Sequence, residues 1–286
     1  MHTHKFTVGA SLLSLLLLMG CGSDSQGSAS QFEILTPITG GNWYQPASQT
    51  TWQWQLKDTL NSSYEVAVYD IDLFDTSSTD IKALQADGHK VICYFSAGSF
   101  EDWREDAASF ADSVLGDTLD GWEDERWLDI SAESVRQIMH ARLELAQRKG
   151  CDGVEPDNVD GYTNNSGFNL SYHDQLMFNR YIANTAHQLG LAVGLKNDLD
   201  QITDLVEYFD FAVNEQCFEY NECGYLAPFI EADKAVFNAE YESTYVDSTS
   251  SRNALCDDAN QRKFSTLILP LDLDDRFRYS CLNESD

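Results

Sequence analysis

The sequence predicts an α/β fold, a single-domain (β/α)8 TIM barrel, from three observations. Short apolar runs recur along the chain, and each is followed by a segment of helical periodicity. The runs show little apolar–polar alternation, which suits parallel strands covered on both faces. Eight such units fill roughly 230 residues, close to the ~250 usual for this barrel. A doubly wound open sheet is the rival architecture. It needs a Gly-rich phosphate turn after its first strand, and the sequence has none.

Residues 1–20 read as a targeting segment. His2, His4 and Lys5 give a weakly basic start, and Val8 to Met19 is apolar but too short to cross a ~30 Å bilayer as a helix. Leu18-Met19-Gly20-Cys21 resembles a bacterial lipoprotein cleavage box, which implies cutting before Cys21 and lipidation of its thiol. An ordinary secretory signal cleaved nearby is the alternative. Residues 21–41 read as the lipidated Cys and a flexible tether, since Ser, Gly, Gln and Asp dominate from Gly22 to Gln31. The expected location is therefore outside the cytoplasm, either lipid-anchored in the bacterial cell envelope or secreted. The barrel domain is expected over 42–286, as a monomer.

Within it, strands are expected at Trp52–Leu56, Glu65–Tyr69, Val91–Phe95, Gly153–Glu155, Ala192–Lys196, Phe211–Val213, Ala235–Ala239 and Thr266–Leu269. The clearest helix runs from Ser131 to Lys149, where Val135, Ile138, Met139, Arg142, Leu143 and Ala146 recur at three and four, with Ser131 and Ser134 as caps. Leu170–Leu189 is a second, stopped by Gly190. Asp80–Ala86, Asp198–Tyr208, Tyr225–Asp233 and Ser250–Arg262 complete the alternation.

Charge narrows the partners. The chain carries 47 Asp and Glu against 18 Lys and Arg, a formal net charge of −29. Phosphates are repelled by such a surface, so nucleic acid and anionic membrane are excluded as partners, apart from the lipid anchor. Solubility explains most of the excess, and steering of a cationic substrate into an acidic cleft is the sharper reading. Beyond Cys21 there are six cysteines, and an oxidising location permits disulfides. Cys217 and Cys223 could close a small loop, Cys256 and Cys281 flank the last strand, and Cys93 and Cys151 are either paired or buried thiols. Six cysteines allow fifteen pairings. No cysteine or histidine cluster has zinc spacing, and no cofactor or metal motif is present.

A barrel places its chemistry at the C-terminal ends of its strands. Those ends carry Asp70 and Asp72; Tyr94, Phe95 and Ser96; Glu155, Asp157 and Asn158; Lys196, Asn197 and Asp198; Asn214 and Glu215; Glu240; and Asp272 and Asp274. The histidines fall elsewhere, with His89 before a strand and His140, His173 and His187 on helices, which reads as structural. No Gly-x-Ser-x-Gly elbow occurs. Paired carboxylates remain. Asp157 ends the fourth strand and Glu215 the sixth, two strands apart on one cleft. Glycoside hydrolysis needs such a pair, one acid to protonate the leaving oxygen and one to attack the anomeric carbon or activate water. The apolar approach Phe211-Ala212-Val213 suits Glu215 as the protonated acid, and Asn158 is a donor that holds Asp157 ionised. Among many aromatics, Trp103 and Tyr162 are the best placed to stack on sugar.

Several motifs in order resemble one family. They are Trp52-Gln53-Trp54-Gln55-Leu56, then Val91-Ile92-Cys93-Tyr94-Phe95-Ser96-Ala97-Gly98, then Glu101-Asp102-Trp103-Arg104. Gly150-Cys151-Asp152-Gly153-Val154-Glu155-Pro156-Asp157-Asn158-Val159-Asp160 follows, then Gly194-Leu195-Lys196-Asn197 and Val213-Asn214-Glu215-Gln216-Cys217. Together they resemble the endo-α-1,4-polygalactosaminidase family of glycoside hydrolases, over roughly Trp43 to Asp274. The resemblance implies a barrel that cuts α-1,4-linked galactosamine polymers internally, with the catalytic pair at Asp157 and Glu215. De-acetylated galactosamine is a polycation, which suits the acidic charge. The chain departs from the family pattern at Glu155-Pro156, where relatives carry an aromatic or aliphatic residue. Glu155 shares a face with Asp157 and is either a deeper residue that tunes the site or a rival acid.

The resulting expectation is an exported, retaining glycosidase. Asp157 is its nucleophile and Glu215 its acid/base, while Asp70, Tyr94, Asn158, Lys196, Asn197, Trp103 and Glu240 bind sugar. A non-catalytic carbohydrate-binding lipoprotein and a metal-dependent barrel hydrolase are the two alternatives.

Overall fold

The computed structural model describes residues 36–282. The expected signal, Cys21 and the tether as far as residue 35 lie outside the described residues. Twelve strands are described: β1 (Trp52–Gln55), β2 (Val68–Asp72), β3 (Lys90–Ser96), β4 (Ser99–Glu101), β5 (Leu115–Leu119), β6 (Trp122–Leu128), β7 (Gly153–Asp157), β8 (Ala192–Lys196), β9 (Phe211–Glu215), β10 (Val236–Glu240), β11 (Ser265–Ile268) and β12 (Tyr279–Ser280). The helices are α1 (Ser78–Ala86), α2 (Glu133–Lys149), α3 (Tyr172–Gln188), α4 (Ile202–Leu205), α5 (Ala227–Glu231), α6 (Ser243–Asp247) and α7 (Thr249–Gln261).

The main sheet curls through nine strands in the order β1-β2-β3-β7-β8-β9-β10-β11-β12. The first eight are parallel neighbours, and β12 adds antiparallel to β11. This is a mixed α/β, TIM-like arrangement. No β1–β11 ladder appears among the described residues. Instead, Trp52 Nε1 donates to Ser265 O at 2.8 Å, and the segment after β11 reaches β1 through Leu56 N to Leu273 O at 3.0 Å.

Two apolar layers hold the sheet. Val135, Met139 and Leu143 of α2 and Ile182 of α3 pack on the outward faces of the strands, with Cys93, Phe95 and Val154. A second cluster has no helical members and fills the inside of the curl: Trp52, Trp54, Ile92, Phe211, Val213, Phe237 and Leu267. Burial of each such side chain contributes ~1.5–3 kcal/mol.

The expected strands and long helices are present, with informative shifts. The second strand runs Val68–Asp72 rather than Glu65–Tyr69, and β7 and β9 continue to Asp157 and Glu215. In each case the strand carries polar residues into the rim because partners wait there. The α2 cap is not Ser131. Ala132 occupies the cap without a side-chain bond, and the Ser131 hydroxyl donates to Asp129. The expected helix Asp198–Tyr208 is a 3-10 turn followed by the four residues of α4. Thr36 and Ile38, placed in the tether by the sequence, are hydrogen bonded to Asn184 of α3.

A three-stranded antiparallel sheet, β4-β6-β5, rises between β3 and α2. Leu119 pairs with Trp122 around Asp120-Gly121, the two-residue hairpin turn that Asp-Gly favours. Two buried arginines pin this excursion. Arg104 grips Asp72 with two bonds, 3.1 and 2.7 Å, and Glu101 at 2.7 Å. Arg142 of α2 grips Asp106 through two bonds of 2.8 Å and donates to Ser96 O. At the base, Gly98 is in close approach to the β7 exit. A Cβ there would sit 1.7 Å from Asn158 O.

Three disulfides form: Cys93–Cys151, Cys217–Cys223 and Cys256–Cys281. The first joins β3 to the turn between α2 and β7, which settles the open alternative of buried thiols.

Candidate active site

The strand ends open onto a cleft of about 660 Å³ whose lining includes Trp54, Tyr94, Asp157, Asn158, Lys196, Asn197 and Glu215. Parallel register brings them together: Tyr94 lies beside Glu155, Ser96 beside Asp157, and Lys196 beside Val213. Residues two apart on a strand share a face, so Glu155 sits one layer below Asp157.

Lys196 is the hub. Its buried ammonium lies 3.1 Å from Asp157 Oδ1, 3.1 Å from Glu215 Oε2 and 3.3 Å from Glu155 Oε1. It also sits over the Trp54 ring, 4.9 Å from the centroid. Burial opposes the charge, but Asp157, Glu215 and Glu155 outweigh it and hold the lysine protonated well above its ordinary range.

Asp157 accepts from Tyr94 Oη at 2.9 Å and from the backbone N–H of Asn158 at 2.7 Å. The expected Asn158 donor is thus its main chain. Its side-chain amide turns to Ser96 and Ser99 instead, with the backbone in the left-handed region at φ 59°. The β7 exit is held from outside by Ala97 N and Gly98 N, which both donate to Asp157 O. Glu215 accepts from Tyr241 Oη at 2.6 Å and from Asn197 Nδ2 at 3.2 Å, beside the Lys196 contact. The apolar approach of β9 therefore ends before the carboxyl, which stands in a ring of donors. Asn197, at φ 48°, also accepts from Glu215 N at 3.0 Å, so one side chain fixes both the main chain and the carboxyl of Glu215.

Beneath the cleft floor, Glu155 and Asp70 are fully buried side by side. Two adjacent carboxylates sealed from water do not both ionise. Burial, then the Asp70 charge, pushes Glu155 well above the ordinary carboxylate range. Burial lifts Asp70 to about 7, with Glu155 hydrogen bonding opposing the rise. Of the two, Glu155 is the more strongly held in its protonated form, and it lies below the cleft rather than in its lining.

Seven of the nine expected site residues line the cleft, and two do not. Asp70 is sealed under the floor against Glu155. Glu240 is fully buried at the end of β10, where it accepts from Phe218 N at 3.0 Å and from Asn238 Nδ2 at 3.2 Å, so it holds the loop after β9 and stands outside the cleft lining. Trp103 stands at the cleft wall, 53% exposed, available for stacking. Tyr162 lies outside this cleft, on an adjoining groove.

Sequence reasoning missed Tyr241, because it lies one residue past β10 and reaches back across to Glu215. It also missed the hairpin wall, where Trp122 and Glu125 line the cleft. The Asp120-Gly121 signal was available for that element. Glu125 accepts from Ser99 Oγ at 2.6 Å, and burial lifts it to about 7. Among the described residues, no group of three or more His, Cys, Asp and Glu side chains could hold a metal ion.

The family model for glycoside hydrolase family GH114 matches residues 35–286. A structure of Aspergillus fumigatus Ega3 in complex with galactosamine is similar, at 45% identity and a TM-score of 0.81, covering 85% of this chain and 99% of that one. The glycoside hydrolase domain of PelA from Pseudomonas aeruginosa shares the fold at 14% identity, with a TM-score of 0.63, covering 79% and 96%. No curated protein sequence matches the chain. With the family model spanning all of the described residues, the chain belongs to glycoside hydrolase family GH114 and is a glycoside hydrolase.

Proposed function

We propose that this hydrolase cuts α-1,4-linked galactosamine-containing polysaccharide internally, with retention of configuration, on a (β/α)8 barrel. The observation that carries the mechanism is the single ammonium shared by Asp157 and Glu215. Two contacts of 3.1 Å to one nitrogen keep those two facing oxygens within twice that distance, which favours the close spacing of retaining pairs over the ~6.5–9.5 Å of inverting ones. So close a pair suits direct attack by Asp157 rather than a water held between Asp157 and the sugar.

Asp157, anchored by Tyr94 and the Asn158 N–H, attacks the anomeric carbon as Glu215 gives its proton to the leaving oxygen. The glycosyl ester on Asp157 is then hydrolysed by a water that loses its proton to Glu215. Galactosamine as the sugar is supported by the Ega3 complex and by the acid-rich cleft, which suits a polycation.

The test is oligosaccharide release from purified galactosaminan. Asp157→Asn and Glu215→Gln each reduce it by ~10²–10⁴ while thermal unfolding is kept. Full activity in either variant refutes the assignment, and an inverted first product refutes retention. A loss on chelation favours the metal-dependent alternative.

Export with a lipid anchor at Cys21 is part of the same proposal. The lipobox-like Leu18-Met19-Gly20-Cys21 and the three disulfides support it. Cys21→Ala should abolish labelling by a fatty-acid probe.

A further inference from the structure

Glu125 stands on β6 in the cleft wall, and sheet pairing sets it directly opposite Glu101 of β4. Like charges facing each other across a sheet repel. Arg104, the guanidinium nearby, directs its bonds to Asp72 and Glu101 instead. A buried carboxyl placed against a like charge is costly, and such costs cluster at chemical sites.

The bond from Ser99 supplies the reason for its place. Ser99 Oγ donates to Glu125 Oε2 at 2.6 Å. A hydroxyl has one hydrogen, so in the 2.5 Å contact between Ser96 Oγ and Ser99 Oγ the donor is Ser96. Asn158 Nδ2 donates to Ser96 Oγ at 3.0 Å and to Ser99 Oγ at 3.2 Å. The line therefore runs one way, from Asn158 through Ser96 and Ser99 to Glu125. Both serines are fully buried, and neither lines the cleft.

Asn158 is where the line meets the chemistry. Its main-chain N–H donates to Asp157 Oδ1 at 2.7 Å, from a left-handed backbone at φ 59°. The two side-chain bonds hold that conformation and with it the direction of the N–H. We propose that Glu125 is a positioning residue for Asp157: as terminal acceptor it orders the serine hydroxyls, they hold the Asn158 amide, and Asn158 aims its N–H at the nucleophile. Without that acceptor the Ser99 hydrogen is free to turn back toward Ser96 and the Asn158 amide, and the order is lost.

The inference rests on the nucleophile role proposed for Asp157. It is tested on the full chain with de-acetylated galactosaminan. Glu125→Leu, Glu125→Gln, Ser99→Ala, the double variant Ser99→Ala with Glu125→Leu, and Asp157→Asn are compared with wild type, each with a thermal melt. Glu125→Leu and Ser99→Ala each lower kcat roughly tenfold to a hundredfold, with KM within about twofold of wild type. The double variant loses no more than about twofold beyond the worse single one, because both changes cut one line. Glu125→Gln keeps an acceptor for Ser99 and retains more of kcat than Glu125→Leu. A loss confined to KM assigns Glu125 to direct sugar contact, and losses that multiply in the double variant mark two unconnected effects. Either result overturns the proposal, as does an unchanged kcat or a Glu125→Gln no better than Glu125→Leu. Ser99→Ala decides alone if Glu125→Leu does not fold, since Ser99 has no place in the cleft lining. Full activity in Asp157→Asn refutes the nucleophile and this role with it. An inactive Asp157→Asn beside a fully active Ser99→Ala refutes the positioning role alone.

Discussion

The Tyr241 hydroxyl lies 2.6 Å from Glu215 Oε1, although the two residues are 26 apart in sequence and on different strand ends. Glu215 therefore depends on a side chain from the neighbouring element for its orientation. Tyr241→Phe removes one donor to a charged group, a loss of ~1.5–3 kcal/mol. The expected outcome is a fall in kcat of roughly tenfold to a hundredfold with little change in melting temperature. Steady-state kinetics with a thermal melt checks both.

Lys196 answers three acids at once. Lys196→Met leaves Asp157 and Glu215 facing each other above the buried Glu155 with no counter-charge. Removing one partner of a buried ionic cluster costs ~3–5 kcal/mol. The variant should lose activity almost completely and unfold at lower temperature, with the stability loss larger at neutral than at acidic pH. Urea unfolding at two pH values measures this.

Buried carboxyls with raised pKa values set a pH trend. Asp70, Glu125 and Glu240 are lifted to about 7 and Asp160 to about 6, each chiefly by burial. Between their unfolded values near 4 and these folded values, the native state holds more protons than the unfolded one. Stability is therefore present on the acid side and is lost as pH rises through about 6 to 7. The melting temperature should drop by roughly 5 °C or more from pH 5 to pH 8, since 1 kcal/mol is worth ~2–4 °C at this size. Calorimetry across that range tests the sign, and Asp70→Asn should flatten the slope.

The Cys93–Cys151 bridge spans a sequence separation of 58, against 6 for Cys217–Cys223. In the chain-entropy account the longer loop contributes about 4 kcal/mol. Cys93→Ala with Cys151→Ala should lower the melting temperature well below that of Cys217→Ala with Cys223→Ala. The reverse order, read by differential scanning fluorimetry, would count against loop entropy as the source.

Much of this architecture was legible because parallel strands advertise themselves. Ala192–Lys196 and its seven companions are short apolar runs, and the rim residues Asp157, Lys196 and Glu215 stand where those runs stop. The roles of Asp70 and Glu240 were not legible. A strand end shows that a residue is near the rim, whereas depth is set by stagger between strands, which sequence does not display. Tyr241 was invisible for a related reason, since its partner is on another strand. The hairpin of β5 and β6 was hidden by its own composition: Gly-Asp-Thr-Leu and Trp-Glu-Asp-Glu-Arg read as a solvated loop unless Asp120-Gly121 is given its due. Ser131 failed as a cap because Asp129 competes for its hydroxyl.

Gly98 places one hydrogen atom where every other amino acid has carbon. Its neighbour Asn158 O would meet an alanine methyl at 1.7 Å, and Asn158 is the residue whose N–H steadies Asp157. Mutational tolerance at this position is therefore nil in two currencies at once. A variant library selected only for folding and another selected only for turnover should both converge on glycine at residue 98.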